Sequence, residues 1–137
     1  MDNKSKLIDF AEHLKQADGL LITAGAGMGV DSGLPDFRGD QGFWKAYPPL
    51  KHLGKNFVDM ATPELFHTNP KLAWGFYGLR LNAYRAVEPH QGFHILKQWS
   101  DTLPNLKNSA FVFTSNVDGE FQKVGFKDDN VFECHGR

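Results

Sequence analysis

The chain has a single cysteine, almost no net charge and no long apolar run. One cysteine, Cys134, excludes an internal disulfide and is typical of a reducing compartment, so we expect a cytoplasmic protein. Its 15 basic residues balance 16 acidic ones, which predicts no binding to nucleic acid or to an anionic membrane. No apolar run reaches the about 20 residues that a membrane-spanning helix needs, and the N-terminal residues do not form the apolar block of a signal peptide.

What the chain does contain is the composition of an ordinary globular domain, with 41% apolar and 23% charged residues. Its length predicts a single domain over residues 1–137. Twelve phenylalanines and three tryptophans provide more apolar aromatic surface than a chain of this length easily buries. We therefore expect some of these rings to be exposed.

The most informative stretch begins with a short apolar run, Leu20 to Thr23, and continues through closely spaced glycines. The run predicts a strand covered on both faces, as in a parallel sheet. Gly25, Gly27 and Gly29 then predict a tight turn whose backbone N–H groups can approach a phosphate, with a helix start to favour its charge. The third glycine comes one residue too early for the fingerprint of ordinary dinucleotide-binding folds, which disfavours a dehydrogenase.

Hydrophobic periodicity and turn residues predict the remaining elements. Apolar residues at helical spacing indicate a first helix ending near Gly19, and short apolar runs indicate strands at 111–114 and 131–134. Asn69-Pro70 begins a longer helix whose aromatic stripe we interpret as packing against neighbouring helices. The order predicts an α/β fold: a partial Rossmann-like doubly wound parallel sheet, with a small helical module inserted at about 40–88.

Polar residues follow the second and third predicted strands, at the sheet edge where open α/β folds bind ligands. Asn116 and Asp118 come after the second strand, and either could instead cap the next helix. His135 follows the third strand. Cys134 would point to the opposite face from His135, so we expect a small buried strand residue and no Cys–His nucleophile.

Three segments together resemble the signature of the sirtuin (Sir2) family of NAD-dependent protein deacylases. The longest is Gly25-Ala26-Gly27 followed by the residues Ser-Gly-Leu-Pro-Asp-Phe-Arg at 32–38. The segments Thr-Ser-Asn-Val-Asp at 114–118 and Glu-Cys-His-Gly at 133–136 are similar to that family's Thr-Gln-Asn-Ile-Asp and Glu-x-His-Gly. The resemblance covers nearly the whole chain and about the first half of the family's fold.

The resemblance implies a site for NAD and for an acylated-lysine protein substrate. The residues that would bind NAD are Gly25, Ala26, Gly27, Asp36, Phe37, Arg38, Ser115, Asn116 and Asp118. His135 would be the general base, and Asn116 would act with it at the nicotinamide ribose. In the implied reaction the acyl oxygen attacks the anomeric carbon of that ribose and nicotinamide leaves. His135 then promotes attack of a ribose hydroxyl on the resulting intermediate, and water completes the release of lysine and an O-acyl-ADP-ribose.

The chain also departs from the family's pattern. Ser115 replaces a glutamine, Gly29 replaces a serine or threonine, and Glu120-Phe121 stands where Leu-His is common. The family's structural zinc is expected, but one cysteine supplies no four-ligand site. Two other functions therefore stay open: a sirtuin-like ADP-ribosyltransferase or NAD hydrolase, and a truncated non-catalytic interaction module. An uncovered sheet edge would also favour a homo-oligomer.

Overall fold

The computed structural model describes residues 2–35, 40–107 and 109–136. The strands are β1 (Leu20–Ala24), β2 (Ala110–Thr114) and β3 (Val131–Glu133), and 3-10 helices span Ala26–Ser32 and Asp128–Asn130. The α-helices are α1 (Asn3–Gln16), α2 (Asp40–Ala46), α3 (Pro48–His52), α4 (Phe57–Met60), α5 (Glu64–Thr68), α6 (Pro70–Ala86), α7 (Gln91–Thr102) and α8 (Glu120–Lys123). We call the segment Ala26–Ser32 the glycine turn.

The strands form a parallel sheet in the order β1-β2-β3, with β2 in the centre. Ile22 pairs with Val112, which pairs with Val131 on the other side. Phe93 of α7 and Phe121 of α8 belong to the same buried cluster as Ile22 and Val112. Both helices therefore cover the same face of the sheet.

The opposite face of the sheet is open in the part of the chain that the structure describes. Leu21 is 66% exposed, and Phe113 and Phe132 are exposed and stack on each other at 5.5 Å between ring centroids. Coverage of β1 on both faces was therefore a wrong prediction for these residues. The reason is topological: consecutive parallel strands added in one direction through right-handed crossovers place both connections on one face.

The predicted first helix is confirmed as α1. Asp2 caps it by accepting a hydrogen bond from the N–H of Ser5. Its apolar side chains are nevertheless largely exposed, and Phe10 meets Trp99 of α7 at 6.0 Å between ring centroids. No helix in the described parts of the chain is long and apolar enough to span a bilayer.

Helices α2 to α6, which we call the helical module, lie around a second buried cluster. Phe43, Tyr47, Met60 and Phe76 are its centre, and edge-to-face and tilted ring contacts join the aromatic members. Asn69 caps α6 by accepting from the N–H of Leu72 at 3.2 Å, as the Asn-Pro pair predicts. The short helices leave few internal hydrogen bonds, so aromatic packing supplies most of the module's cohesion.

Candidate active site

A cleft of about 470 Å³ lies between the carboxyl edge of the sheet and the helical module. One side, which we call the sheet wall, consists of Ala26, Leu34, Pro35, Ser115, Asn116, Val117, Asp118 and His135. The other side, which we call the module wall, consists of Phe57, Ala61, Tyr77, Arg80 and Tyr84. Five residues of the sheet wall are site residues predicted from the sequence: Ala26, Ser115, Asn116, Asp118 and His135.

The glycine turn starts directly after β1, at the floor of the cleft. Gly25 is extended, and its carbonyl accepts from the N–H of Met28 at 2.9 Å, which closes the first 3-10 turn. The same carbonyl accepts from the Nδ2 of Asn116, also at 2.9 Å. Asn116 thereby ties the turn after β1 to the segment after β2.

The three glycines differ in how much space the protein leaves them. A Cβ at Gly25 would be 3.6 Å from the Ser115 Oγ, an ordinary contact. A Cβ at Gly27 would meet no described atom within 4 Å, and Gly27 has no left-handed φ. The described residues therefore give no reason for glycine at position 27, and the open backbone there fits a bound phosphate. Gly29 is different, because a Cβ there would lie in tight contact with two neighbouring side chains.

The sequence left open whether Asn116 and Asp118 face a ligand or cap the next helix, and the structure shows that the two residues differ. The Oδ1 of Asp118 accepts from the N–H of Glu120 at 3.1 Å, so Asp118 caps α8. Asn116 is 9% exposed and binds Gly25 instead, while its own N–H donates to the Oγ1 of Thr114. Burial raises the pKa of Asp118, and the bond from Glu120 and the Lys123 cation oppose that shift.

His135 is exposed and reaches the sheet wall from a turn just after β3. The pairing of β3 with β2 continues one residue further, because the N–H of Cys134 donates to the carbonyl of Thr114 at 2.9 Å. Cys134 itself is exposed, so its expected burial was wrong. The strand ends at Glu133, and the open face of the sheet leaves this end of β3 uncovered in the described residues.

Three predicted NAD-binding residues, Asp36, Phe37 and Arg38, lie outside the described residues. Gly25 and Gly27 belong to the start of the glycine turn, beside Ala26. Among the described residues, no three His, Cys, Asp or Glu side chains lie close enough together to hold a metal ion.

Sequence reasoning missed the polar groups of the module wall. The Nε of Arg80 donates to the Tyr84 hydroxyl at 3.0 Å, and the guanidinium lies 5.2 Å from the ring centre of Phe57. Burial raises the pKa of Tyr84, and the Arg80 cation opposes the shift. The available signal was the spacing of Tyr77, Arg80 and Tyr84, which puts three polar groups on one face of α6 inside an aromatic stripe.

Comparison with known proteins assigns this arrangement to a family. The model of the Sir2 family matches residues 25–137. The chain belongs to the Sir2 family. The family expected from the glycine string and the two polar segments is thus confirmed, as is the partial Rossmann-like α/β fold.

Individual Sir2 relatives agree with this assignment. The chain is 34% identical to an NAD-dependent protein deacylase of Candida albicans, over 96% of this chain and 40% of that protein. It is 36% identical to an NAD-dependent protein deacetylase of Saccharolobus solfataricus, over 92% of this chain and 45% of that protein. A Sir2 homologue crystallised with NAD superposes with a TM-score of 0.67 and 28% identity, over 99% of this chain and 46% of that one. The chain thus spans less than half the length of these relatives.

Proposed function

We propose that this chain carries the NAD site and catalytic base of a sirtuin-type protein-lysine deacylase, which releases nicotinamide and an O-acyl-ADP-ribose. One observation carries the proposal: a single cleft brings together Ala26 of the glycine turn, Asn116 and Asp118 after β2, and His135 after β3. The relatives named as NAD-dependent deacylase and deacetylase support the same reaction.

The glycine turn would hold the phosphates of NAD. Gly27 is exposed and has no side chain of its own, so a phosphate can approach the backbone N–H groups there. Asn116 keeps this turn at a defined distance from the segment after β2, through its bond to the Gly25 carbonyl. Asp118 offers a carboxylate on the same wall for the nicotinamide amide. When bound, NAD supplies the anomeric carbon that receives the acyl oxygen and the nicotinamide that leaves.

His135 would exchange the proton of a ribose hydroxyl. Its position on the cleft wall, and its exposure, let the imidazole reach a ligand in the cleft and return the proton to water. The rings of Phe57 and Tyr77 face it from the module wall and would exclude water from the reacting centre. The acylated lysine would enter between the two walls.

Nicotinamide release by the purified chain, with and without an acetyl-lysine peptide, tests this function. We expect release that requires the peptide and that falls about 10²–10⁴-fold in His135→Ala. His67→Ala is the matched control, because His67 is exposed on α5 and is not among the residues that line the cleft.

Other results would support other functions. Release without peptide would favour an NAD hydrolase or ADP-ribosyltransferase, for which the serine at position 115 is the sequence argument. If no nicotinamide is released, calorimetry with NAD distinguishes the two functions that remain. Binding without release would leave a nucleotide-binding module, and neither binding nor release would favour a non-catalytic interaction module.

A further inference from the structure

Glu120 is a buried acid that the proposed mechanism does not use. It is 0% exposed, and its carboxylate oxygens make no hydrogen bond of ordinary geometry among the described residues, although the Ser32 hydroxyl lies close enough to act on it. Burial raises its pKa, and the nearby Asp118 adds to the rise, while Ser32, His90 and Lys123 oppose it. A buried acid without a partner is costly unless it is uncharged or does something specific.

The carboxyl group of Glu120 lies against the glycine turn, at Gly29. A Cβ at Gly29 would be 3.0 Å from the Oε2 of Glu120 and 3.1 Å from the Cδ1 of Leu34, closer than nearly all such contacts in proteins. Gly29 has no left-handed φ. Backbone conformation therefore does not require glycine at this position, but an added methyl group would require the Glu120 or Leu34 side chain to move by a few tenths of an ångström.

The other side of the turn is held by α7. His90 caps α7 with its Nδ1, which accepts from the N–H of Gly92 at 2.9 Å. The Nε2 therefore carries the proton and donates to the carbonyl of Met28 at 2.9 Å. The N–H of His90 also donates to the Oγ of Ser32 at 3.0 Å. Both ring nitrogens of His90 are thus engaged, one with the turn and one with the start of α7.

Positions 29 and 120 are also two places where the sequence departs from the family's pattern. The family has a hydroxyl side chain at the first and commonly leucine at the second, whereas this chain has glycine and glutamate. The structure brings the two departures into contact. The carboxyl group takes space next to the turn that a side chain at position 29 would otherwise need.

We propose that Glu120 is a positioning residue for the glycine turn, whose carboxyl fills the space left by the absent side chain of Gly29 and holds the turn in its NAD-binding shape. The contact between the two residues stands independently of any ligand. The effect on NAD rests on the proposed function. Glu120 acts by its shape, so glutamine, which has nearly the same shape, should replace it.

A double-mutant cycle in thermal unfolding tests the contact. We expect Gly29→Ala to lower Tm by about 5 °C in the native background, and by clearly less in a Glu120→Ala background, where only the contact with Leu34 remains. Gly27→Ala is the matched control, since its added methyl meets nothing and its effect should be the same in both backgrounds. Equal effects of Gly29→Ala in both backgrounds would overturn the pairing. If Gly29→Ala folds only together with Glu120→Ala, the pairing is also supported.

NAD affinity, measured by calorimetry well below Tm, tests the positioning role. We expect Glu120→Ala to weaken binding at least tenfold, and Glu120→Gln to keep the dissociation constant within about twofold. A purely structural role would lower Tm in Glu120→Ala and leave NAD affinity unchanged, which would overturn the proposal. Failure of the unmodified chain to bind NAD would overturn both the proposed function and the positioning role, and the thermal cycle would still decide the contact.

Discussion

The two walls of the cleft are built in different ways. The sheet wall consists of residues directly after strands and in the glycine turn, and hydrogen bonds between backbone and side chain hold it, such as Asn116 to Gly25. The module wall consists of residues one helical turn apart, and aromatic packing holds it around Phe76. Motifs in sequence identify the first kind of wall, because its parts are local. The second kind depends on how separate helices pack.

The two walls also differ in the charged groups that they carry. The sheet wall carries the acid Asp118 and the imidazole of His135, whereas the module wall carries the guanidinium of Arg80. Arg80 lies over the rings of Phe57, Phe76 and Tyr84 at 5.2 to 5.5 Å, so its charge is kept inside an aromatic environment. Substitutions confined to one wall should therefore separate effects on the packing of the module from effects on nucleotide binding.

The largest effect should come from Phe76→Ala in the core of the module. Phe76 is 3% exposed and contacts four other aromatic rings of the module directly. Its truncation should lower the free energy of unfolding by about 3–5 kcal/mol, as measured by urea denaturation. Leu79→Ala on the same helix is the control, since Leu79 is 60% exposed and should cost well under half of that. Equal losses for the two variants would mean that the module core does not hold its wall.

The next effect should come from Asn116→Ala on the sheet wall. The substitution removes the donor that binds the Gly25 carbonyl and should cost about 1–2 kcal/mol of unfolding free energy. NAD affinity should fall as well, because the turn loses its link to β2. Ser115→Ala is the neighbouring control, with an intermediate exposure and only an ordinary contact to Gly25. An Asn116→Ala protein with unchanged stability and unchanged NAD affinity would contradict this account of the sheet wall.

The phenols of the module should make stability depend on alkaline pH. Burial raises the pKa of Tyr84, and raises that of Tyr47 to about 12, with Arg80 opposing both shifts. An unfolded tyrosine loses its proton near about pH 10, so above that pH the unfolded chain binds fewer protons than the folded one. The stability from these phenols is therefore fully present below about pH 10 and is lost as pH rises through the folded pKa.

Urea denaturation from about pH 8 to about pH 11 measures this dependence. Tyr47→Phe should make the decline above about pH 10 less steep, because phenylalanine cannot ionise. An identical slope in the native and Tyr47→Phe proteins would show that Tyr47 does not titrate with the raised pKa that its burial implies.

The smallest effect should be a gain, from Gly75→Ala on α6. Gly75 is exposed in the helix interior, and a Cβ there meets no described atom within 4 Å. The free energy of unfolding should rise by about 0.5–1 kcal/mol, since alanine loses less backbone entropy. Gly54→Ala is the opposite control: no atom crowds it either, but its φ of +63° is left-handed and should make alanine destabilising. A loss of stability in Gly75→Ala would indicate a contact at that position.

Much of the sheet wall was predictable because the signals are local. Apolar runs identified the strands, the Asn69-Pro70 pair identified the start of α6, and the glycine string identified the turn. The exposure of Cys134 was not predictable from the sequence, because it depends on where β3 ends and on which elements cover that end. The same is true of Leu21, whose apolar character alone suggested a covered face.

The sequence by itself determined the order of the strands and helices, the glycine turn, the polar residues at the strand ends and the Sir2 family membership. These follow from patterns within a few residues of each other, which backbone geometry translates directly into local structure. Only the tertiary structure decided which sheet face is covered, that Arg80 and Tyr84 face Asp118 and His135 across a cleft, and that Glu120 touches Gly29. Those outcomes depend on the packing of segments distant in the chain, where space and burial, and not local pattern, select the arrangement.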